Sequence, residues 1–413
     1  MVYRDGRSGT VATMKSACVM LAHQFLLTSL LCAGQTAAAG ESYPSALVVE
    51  TLGNAGTSLN SDATSISLSV FTASGTYLRT LTSQFQNSTL LTDSGSASSN
   101  GYLNTYAGYM AVSGLNVAPG TEDAATLNEK ATNIIDPLAQ VVGRTVFPTG
   151  GATGDPRSPF SGGNFRSVIP TSANTFYATG TSNGSPSTGG VWHYDGADFV
   201  RVSSTQNNIR NVEIYGDQLY VTSGTSGFQG ISTVGTGLPT TAGATTSLAI
   251  ATGTGSSPYG FVIFDTNKDG TMDLAFVADD RPSVGGGIQR WDLNSSNVWT
   301  NTYSLLFNTG SERLTTSTGA GIVGIRGLTG VWEEETGTAA LFATTTETSR
   351  NYLVTLYDEG TTPTSFRRLA RAGENSVFRG LDFAPVPEPS TYVLAAIATG
   401  VLAWFGRKQR KSC

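Results

Sequence analysis

The sequence predicts an all-β fold, on two observations. Only 13% of the 413 residues are charged, against about a quarter in an average soluble chain, so the Lys and Glu that fill exposed helix faces are scarce. The 49 glycines, with Ser, Thr, Asn and Asp, separate short runs rich in β-branched and aromatic residues, which is the composition of strands joined by turns.

The first element, residues 1–39, reads as a secretory signal. An apolar run from Val19 to Ala33 follows Lys15 and leads to Ala37, Ala38 and Ala39, an A-x-A cleavage site before Gly40. Met14 would serve as an alternative start, giving a compact basic segment at Lys15. The run is interrupted by His23 and Gln24 and falls short of the roughly 20 apolar residues needed to cross a bilayer.

Residues 40–385 form the expected ectodomain, and their strands repeat. An apolar residue followed by Arg opens a strand at Phe165-Arg166, Ile209-Arg210, Ile325-Arg326 and Phe378-Arg379. The first three copies lead to an aromatic strand ending in small or hydroxyl residues, at Phe176–Gly180, Leu219–Gly224 and Leu341–Thr345. Tyr259-Gly260-Phe261-Val262 begins a related pair without the Arg, and Tyr102-Leu103 a weaker sixth. A third strand closing on an aromatic residue and Asp recurs at Val191–Asp195, Ile288–Asp292 and Val354–Asp358. Three or four short strands repeating every 43 to 67 residues (Tyr177 to Tyr220, and Met110 to Tyr177) describe the blades of a β-propeller. The fourth Arg copy has no partner before the tail. Supplying the inner strand of a blade whose outer strands are Ala46–Leu52, Ile66–Phe71 and Tyr77–Leu81 would close the ring between the chain ends, and the count is then six blades. Seven would result if the irregular stretch from Val117 to Thr149 hides another, and a β-helix or a two-domain sandwich are the competing architectures. Closure pairs edge strands that would otherwise be exposed.

The last element, residues 386–413, carries Pro387-Glu388-Pro389, an apolar stretch over 392–405 expected as one short transmembrane helix, and the basic residues Arg407, Lys408, Arg410 and Lys411. This order closely resembles the PEP-CTERM sorting signal. The resemblance implies a protein exported by a Gram-negative bacterium and trimmed by an exosortase, a membrane protease, to end at the cell surface or in the extracellular matrix. The physics agrees: the basic cluster holds its end in the cytoplasm, while Pro keeps the motif extended. Most of the chain from about Ser45 to the C-terminus, through NVEIYGDQLYVTSG, ISTVGTGLPTT, AFVADD with GGGIQRWDL, and VFRGLDFAPVPEPS, is similar to a group of bacterial propellers with PEP-CTERM tails. That resemblance implies architecture and location, with no activity to carry over.

Cys18 and Cys32 lie in the leader and Cys413 in the tail, so no disulfide holds the ectodomain. Three of the 24 basic residues lie before position 40 and four after 387, against Asp5 and Glu388 alone among the 30 acidic ones; 17 basic and 28 acidic residues remain, a net charge of −11. Nucleic acid is a poor partner for such a surface. His193 is the one remaining histidine, which excludes sites needing two imidazoles.

Two constellations could carry chemistry. Asp265, Asn267, Asp269, Thr271 and Asp273 have the D-x-N-x-D-G-x-x-D spacing that offers oxygens to calcium around the turn at Gly270, and the loop resembles the calcium loops of integrin-type propeller repeats. Phe276 stands where an EF-hand has its bidentate Glu, so a structural calcium is expected, or else an Asp-rich turn that binds nothing. Arg166, Arg210, Arg326 and Arg379, if each opens an innermost strand, would meet at one mouth of the channel and could take an acidic sugar or another carboxylate. The plainer reading has each Arg locking neighbouring blades together. The expected function is a non-catalytic, monomeric propeller associated with exopolysaccharide. The alternative is a polysaccharide lyase or hydrolase using these arginines on a uronate and Tyr259 as acid or base.

Overall fold

The computed structural model describes residues 46–54, 56–81, 90–149, 158–361 and 366–386. The leader, the Pro387-Glu388-Pro389 motif and the 392–405 segment lie outside the described residues. Among the described residues no helix is long and apolar enough to cross a membrane, so the structure lends no support to the terminal helix.

The described chain is all-β, with a single 3₁₀ turn at Ala124–Thr126 among the described residues. It begins with β1 (Leu47–Leu52), β2 (Ala63–Phe71), β3 (Tyr77–Leu81), β4 (Thr92–Ser94), β5 (Asn104–Tyr106), β6 (Tyr109–Leu115), β7 (Lys130–Ile135) and β8 (Val141–Val146). Four regular antiparallel blades follow. The first is β9 (Phe165–Pro170), β10 (Phe176–Gly180), β11 (Gly190–Tyr194) and β12 (Phe199–Ser203); the second is β13 (Ile209–Tyr215), β14 (Gln218–Ser223), β15 (Gly230–Val234) and β16 (Thr246–Ala251). The third is β17 (Pro258–Phe264), β18 (Leu274–Asp279), β19 (Gly287–Leu293) and β20 (Trp299–Asn308), extended by β21 (Arg313–Thr315) and β22 (Ile322–Val323). The fourth is β23 (Ile325–Glu333), β24 (Thr338–Thr345), β25 (Tyr352–Asp358) and β26 (Phe366–Arg371). The last strand, β27 (Val377–Phe383), returns to pair antiparallel with β1.

The expectation of six separate blades is corrected here: four blades stand alone, and the other strands make one continuous nine-stranded sheet, β27-β1-β2-β4-β6-β7-β8, with β3 on β2 and β5 on β6. The reason is the length of β2. Its last residues pair with β3 (Leu68 opposite Leu81), while its first three pair with β4 (Ala63 opposite Ser94), so one strand bridges what would be two blades.

The arrangement is propeller-like because the apolar residues collect between sheets, not at one centre. Val262, Phe276 and Ile288 of the third blade pack with Leu328, Leu341 and Val354 of the fourth, and Ile169 and Tyr177 of the first pack with Val212 and Val221 of the second. Each blade is thus covered on both faces. That is why β24 is buried along its whole length and reads in sequence as the unbroken apolar run Ala339–Ala343. Six strands, β5, β9, β13, β17, β23 and β27, each touch the next, and the last touches the first.

Candidate functional site

These six strands approach so closely that side chains are excluded. A Cβ at Gly260 would lie 2.8 Å from the Arg326 carbonyl oxygen, one at Gly327 2.8 Å from that of Arg379, and one at Gly380 2.5 Å from the Tyr102 Cα. Glycine follows the Arg or Tyr because the neighbouring backbone fills the place of a side chain.

The Arg or Tyr that opens five of these strands sits in a break of register. The pairing of β9 with β10 skips Arg166, that of β13 with β14 skips Arg210 and Asn211, and that of β17 with β18 skips Tyr259 and Gly260. That of β23 with β24 skips Arg326, and that of β27 with β1 skips Arg379 and Gly380. A bulge bends the strand and re-aims one side chain. Here every blade bulges at the Arg or Tyr that opens its inner strand. Tyr102 completes the series beside β5: Gly380 N–H donates to the Gly101 carbonyl (2.8 Å) and Tyr102 N–H to that of Arg166 (3.1 Å).

The order around the axis is therefore Tyr102, Arg166, Arg210, Tyr259, Arg326, Arg379. The two tyrosines stand opposite one another and their rings stack, 6.4 Å between centroids and 18° between planes. Arg210 lies over the Tyr259 ring at 4.1 Å and Arg326 at 5.6 Å. On its other face the Arg210 guanidinium is pressed on Gly224, where a Cβ would meet it at 2.7 Å.

The structure thus brings Arg166, Arg210, Tyr259, Arg326 and Arg379 together, and it also gives each Arg a local partner. Arg166 Nη1 donates to Asn208 and to the Ile209 carbonyl (3.1 Å), and Arg210 Nη1 to Ser257 Oγ (2.7 Å) and the Pro258 carbonyl (3.0 Å), each on the next blade. Arg326 pairs with Asp280 at 3.1 Å, and Arg379 Nη2 donates to the Gly95 carbonyl (3.3 Å). The hydroxyls ending the second strands have the same work: Thr222 donates to the Tyr259 carbonyl (2.6 Å) and Thr344 to that of Arg379 (2.7 Å).

Burial is costly for these cations. Arg166, 8% exposed, is pulled down to about 10 by desolvation, and Arg379, 7% exposed, is lowered for the same reason. Both keep a buried Nε–H without a partner. Behind Arg379 lie two buried carboxyls. Glu50 is raised well above the usual carboxylate range by desolvation and then by Asp93, and neither of its oxygens has a hydrogen bond. Asp93 is raised to about 6 by burial, although Asn100 Nδ2 (2.9 Å) and Ser94 N–H (2.7 Å) donate to it.

Tyr102, Glu50 and Asp93 are absent from the sequence-derived candidates. Tyr102 had a signal in the weak sixth repeat, where Tyr stands in the Arg column as it does at Tyr259. Glu50 and Asp93 lie in short strands with no motif around them.

The 265–273 loop closes on its own amides. Asp265 accepts from Gly270 N–H (2.8 Å), Asn267 from Asp269 N–H (2.9 Å) and Asp269 from Thr271 N–H (2.7 Å), while Asp273 turns back to Thr266 (3.0 and 2.9 Å). Among the described residues no three of His, Cys, Asp or Glu are grouped to hold a metal ion. His193 is buried beside the Tyr177 ring, 4.8 Å away, and burial lowers its pKa. Trp192 and Trp291 are buried with their indole N–H groups bonded to Thr188 and Gln289, so both serve packing.

Residues 385–411 match the PEP-CTERM protein-sorting motif. No curated protein matches the chain. Among solved structures, a Bacteroides fragilis protein provisionally named a 6-phosphogluconolactonase is similar at 11% identity and a TM-score of 0.40, over 80% of this chain and 83% of its own. A Bacteroides uniformis protein with the same provisional name aligns at 9% identity and 0.40, over 83% and 100%. A quinonprotein alcohol dehydrogenase-like protein of Bacteroides thetaiotaomicron aligns at 9% and 0.35, over 82% and 91%. Similarity of this degree transfers no activity. The sorting motif marks an exported surface protein processed by an exosortase.

Proposed function

We propose that this exosortase-sorted surface protein is a non-catalytic binding propeller of the extracellular matrix, and that it associates with acidic exopolysaccharide through the mouth lined by Arg166, Arg210, Arg326 and Arg379. The nine-stranded sheet fills two positions of the ring in this reading, giving six around the axis. The leader 1–39 and the tail helix are removed or left in the membrane.

One observation carries the reading: four guanidiniums converge at one axial mouth of an ectodomain whose net charge is −11, and among the described residues only Arg326 has an acidic hydrogen-bond partner there, Glu50 and Asp93 acting on Arg379 through space. A local positive field on an acidic body favours a polyanion that meets the mouth and is repelled elsewhere. The test incubates full-length protein, in mild detergent, with its host's exopolysaccharide and follows both the protein retained and the polymer length. Retention with unchanged length is expected. Progressive shortening would select the lyase or hydrolase reading instead, with Tyr259 beside the arginines as its acid or base.

Calcium at Asp265, Asn267, Asp269, Thr271 and Asp273 is a subsidiary proposal with a structural role. Each carboxylate oxygen has a second lone pair, so the amide contacts above leave capacity for a cation. At about 100 times its dissociation constant the ion adds roughly 2.7 kcal/mol. The expected result is a higher melting temperature in calcium than in chelator, lost in Asp269→Ala; equal melting in both would end the proposal.

A further inference from the structure

We infer that the Arg166–Arg210 side of the mouth is a site for one planar carboxylate group, with the Tyr102–Tyr259 stack as its floor. The inference rests on the binding reading above and narrows what the mouth takes. Arg166 and Arg210 both spend the Nη1 corner on the next blade, and no hydrogen bond from Nη2 of either is found among the described residues. Each therefore keeps its Nε–Nη2 edge, the pair of parallel N–H groups that takes a carboxylate side-on. For Arg166 this is a deficit. Its Nε–H is buried and unpartnered in a residue 8% exposed, and Arg379 elsewhere in the ring has the same orphan at 7%. A buried donor left without an acceptor costs about 1–3 kcal/mol, so the site is incomplete until an acceptor arrives.

The guanidiniums are also held in advance. Arg210 is clamped between Gly224 and the Tyr259 ring, and the bulge at each position aims the side chain, so little rotamer freedom remains to be lost on binding. Charge supports the same ligand. Arg166 and Arg210 repel each other, one of the causes that lower Arg166, and an anion between them relieves it.

Shape limits the ligand's size. The tyrosines facing each other at 6.4 Å leave no passage for a sugar ring, so a polymer does not thread the axis. The mouth takes a single carboxylate, from a uronate residue or a chain end, presented from outside.

The experiment titrates full-length protein in mild detergent with sodium D-glucuronate, with methyl β-D-glucopyranoside and sodium sulfate alongside, by isothermal calorimetry. Saturable binding of glucuronate is expected, at least 10-fold tighter than sulfate and absent for the neutral glucoside. Arg210→Lys keeps the charge and removes the side-on edge, and is expected to weaken glucuronate at least 10-fold in a protein that still unfolds cooperatively; Arg166→Lys reads the same edge if Arg210→Lys does not fold. No saturable glucuronate binding, sulfate bound as tightly, or folded lysine variants that bind as well as the parent would each overturn the site. If exopolysaccharide is retained while glucuronate is not bound, the mouth assignment fails and the matrix reading stands. If glucuronate binds and the polymer is not retained, the opposite holds.

Discussion

A chain that ends before Val377 is expected to lose its cooperative unfolding transition, whereas one ending at Ala384 keeps it. The difference is β27. Val377, Phe378, Leu381 and Phe383 are all buried, and at about 1.5–3 kcal/mol for each large apolar side chain their loss approaches the whole net stability of an ordinary domain. The truncation also strips partners from other strands. Asn351 loses both bonds to the Phe378 backbone (2.8 Å each), Thr344 loses the Arg379 carbonyl, and β1 gains an open edge along residues 47–52. Calorimetry on the two truncated chains and the full one makes the comparison. A sharp transition in the shorter chain, within a few degrees of the full one, would show that the ring does not depend on its closing strand.

Stability is expected to fall as the pH rises from about 4 to above 6. Asp93 is raised from the ordinary aspartate value near 3.8 to about 6, and Glu50 is raised well above the ordinary 4.5, both chiefly by burial. An acid whose folded pKa lies above its unfolded one binds more protons when folded. Its contribution is therefore present below the unfolded value and lost as pH climbs through the folded one. For Asp93 the shift of about two pH units corresponds to roughly 3 kcal/mol. Half-buried Asp382, raised to about 6, acts in the same direction. Lys130, lowered to about 8 by burial, has the opposite sign, and its effect begins at about pH 8, outside this window. Urea midpoints at pH 5 and pH 8 measure the slope. Glu50→Gln, which keeps the shape and cannot ionise, should flatten the curve and raise the pH 8 midpoint. A midpoint that is flat with pH, or a Glu50→Gln chain weaker at pH 8, would remove the buried acid from the account.

The blade strands were legible because their repetition is chemical as well as periodic. The apolar-Arg pairs mark four of the inner strands, and two of the aromatic strands that follow them end in hydroxyls, Thr222 and Thr344, that reach the next blade. The partnership of the last strand with residues 46–52 followed from its having no mate of its own. What the letters did not carry was pairing detail. Nothing in Thr64 or Ser65 announces that β2 will reach β4 as well as β3, because strand length beyond the blade is settled by a partner some 30 residues away. The bulges were hidden for the same reason: Arg326 is skipped only relative to Thr344 and Thr345 opposite. The spacing of the 265–273 loop placed its oxygens on one turn but did not determine which way they point. Glu50 was invisible because an acid in the strand LVVETL reads as solvent-facing until the sheet around it is known.

The direction of β27 has a consequence for a tethered molecule. Arg379 is near the start of that strand and Phe383 is its end, about 13 Å further along at 3.3 Å per residue. The sorting motif follows within four residues of Phe383, so the chain leaves the ring from the end of the axis opposite the arginines. The described chain continues from Phe383 to Val386 at the end of β27 remote from Arg379, so the residues that lead into the sorting motif and the arginine cluster lie at opposite ends of one strand.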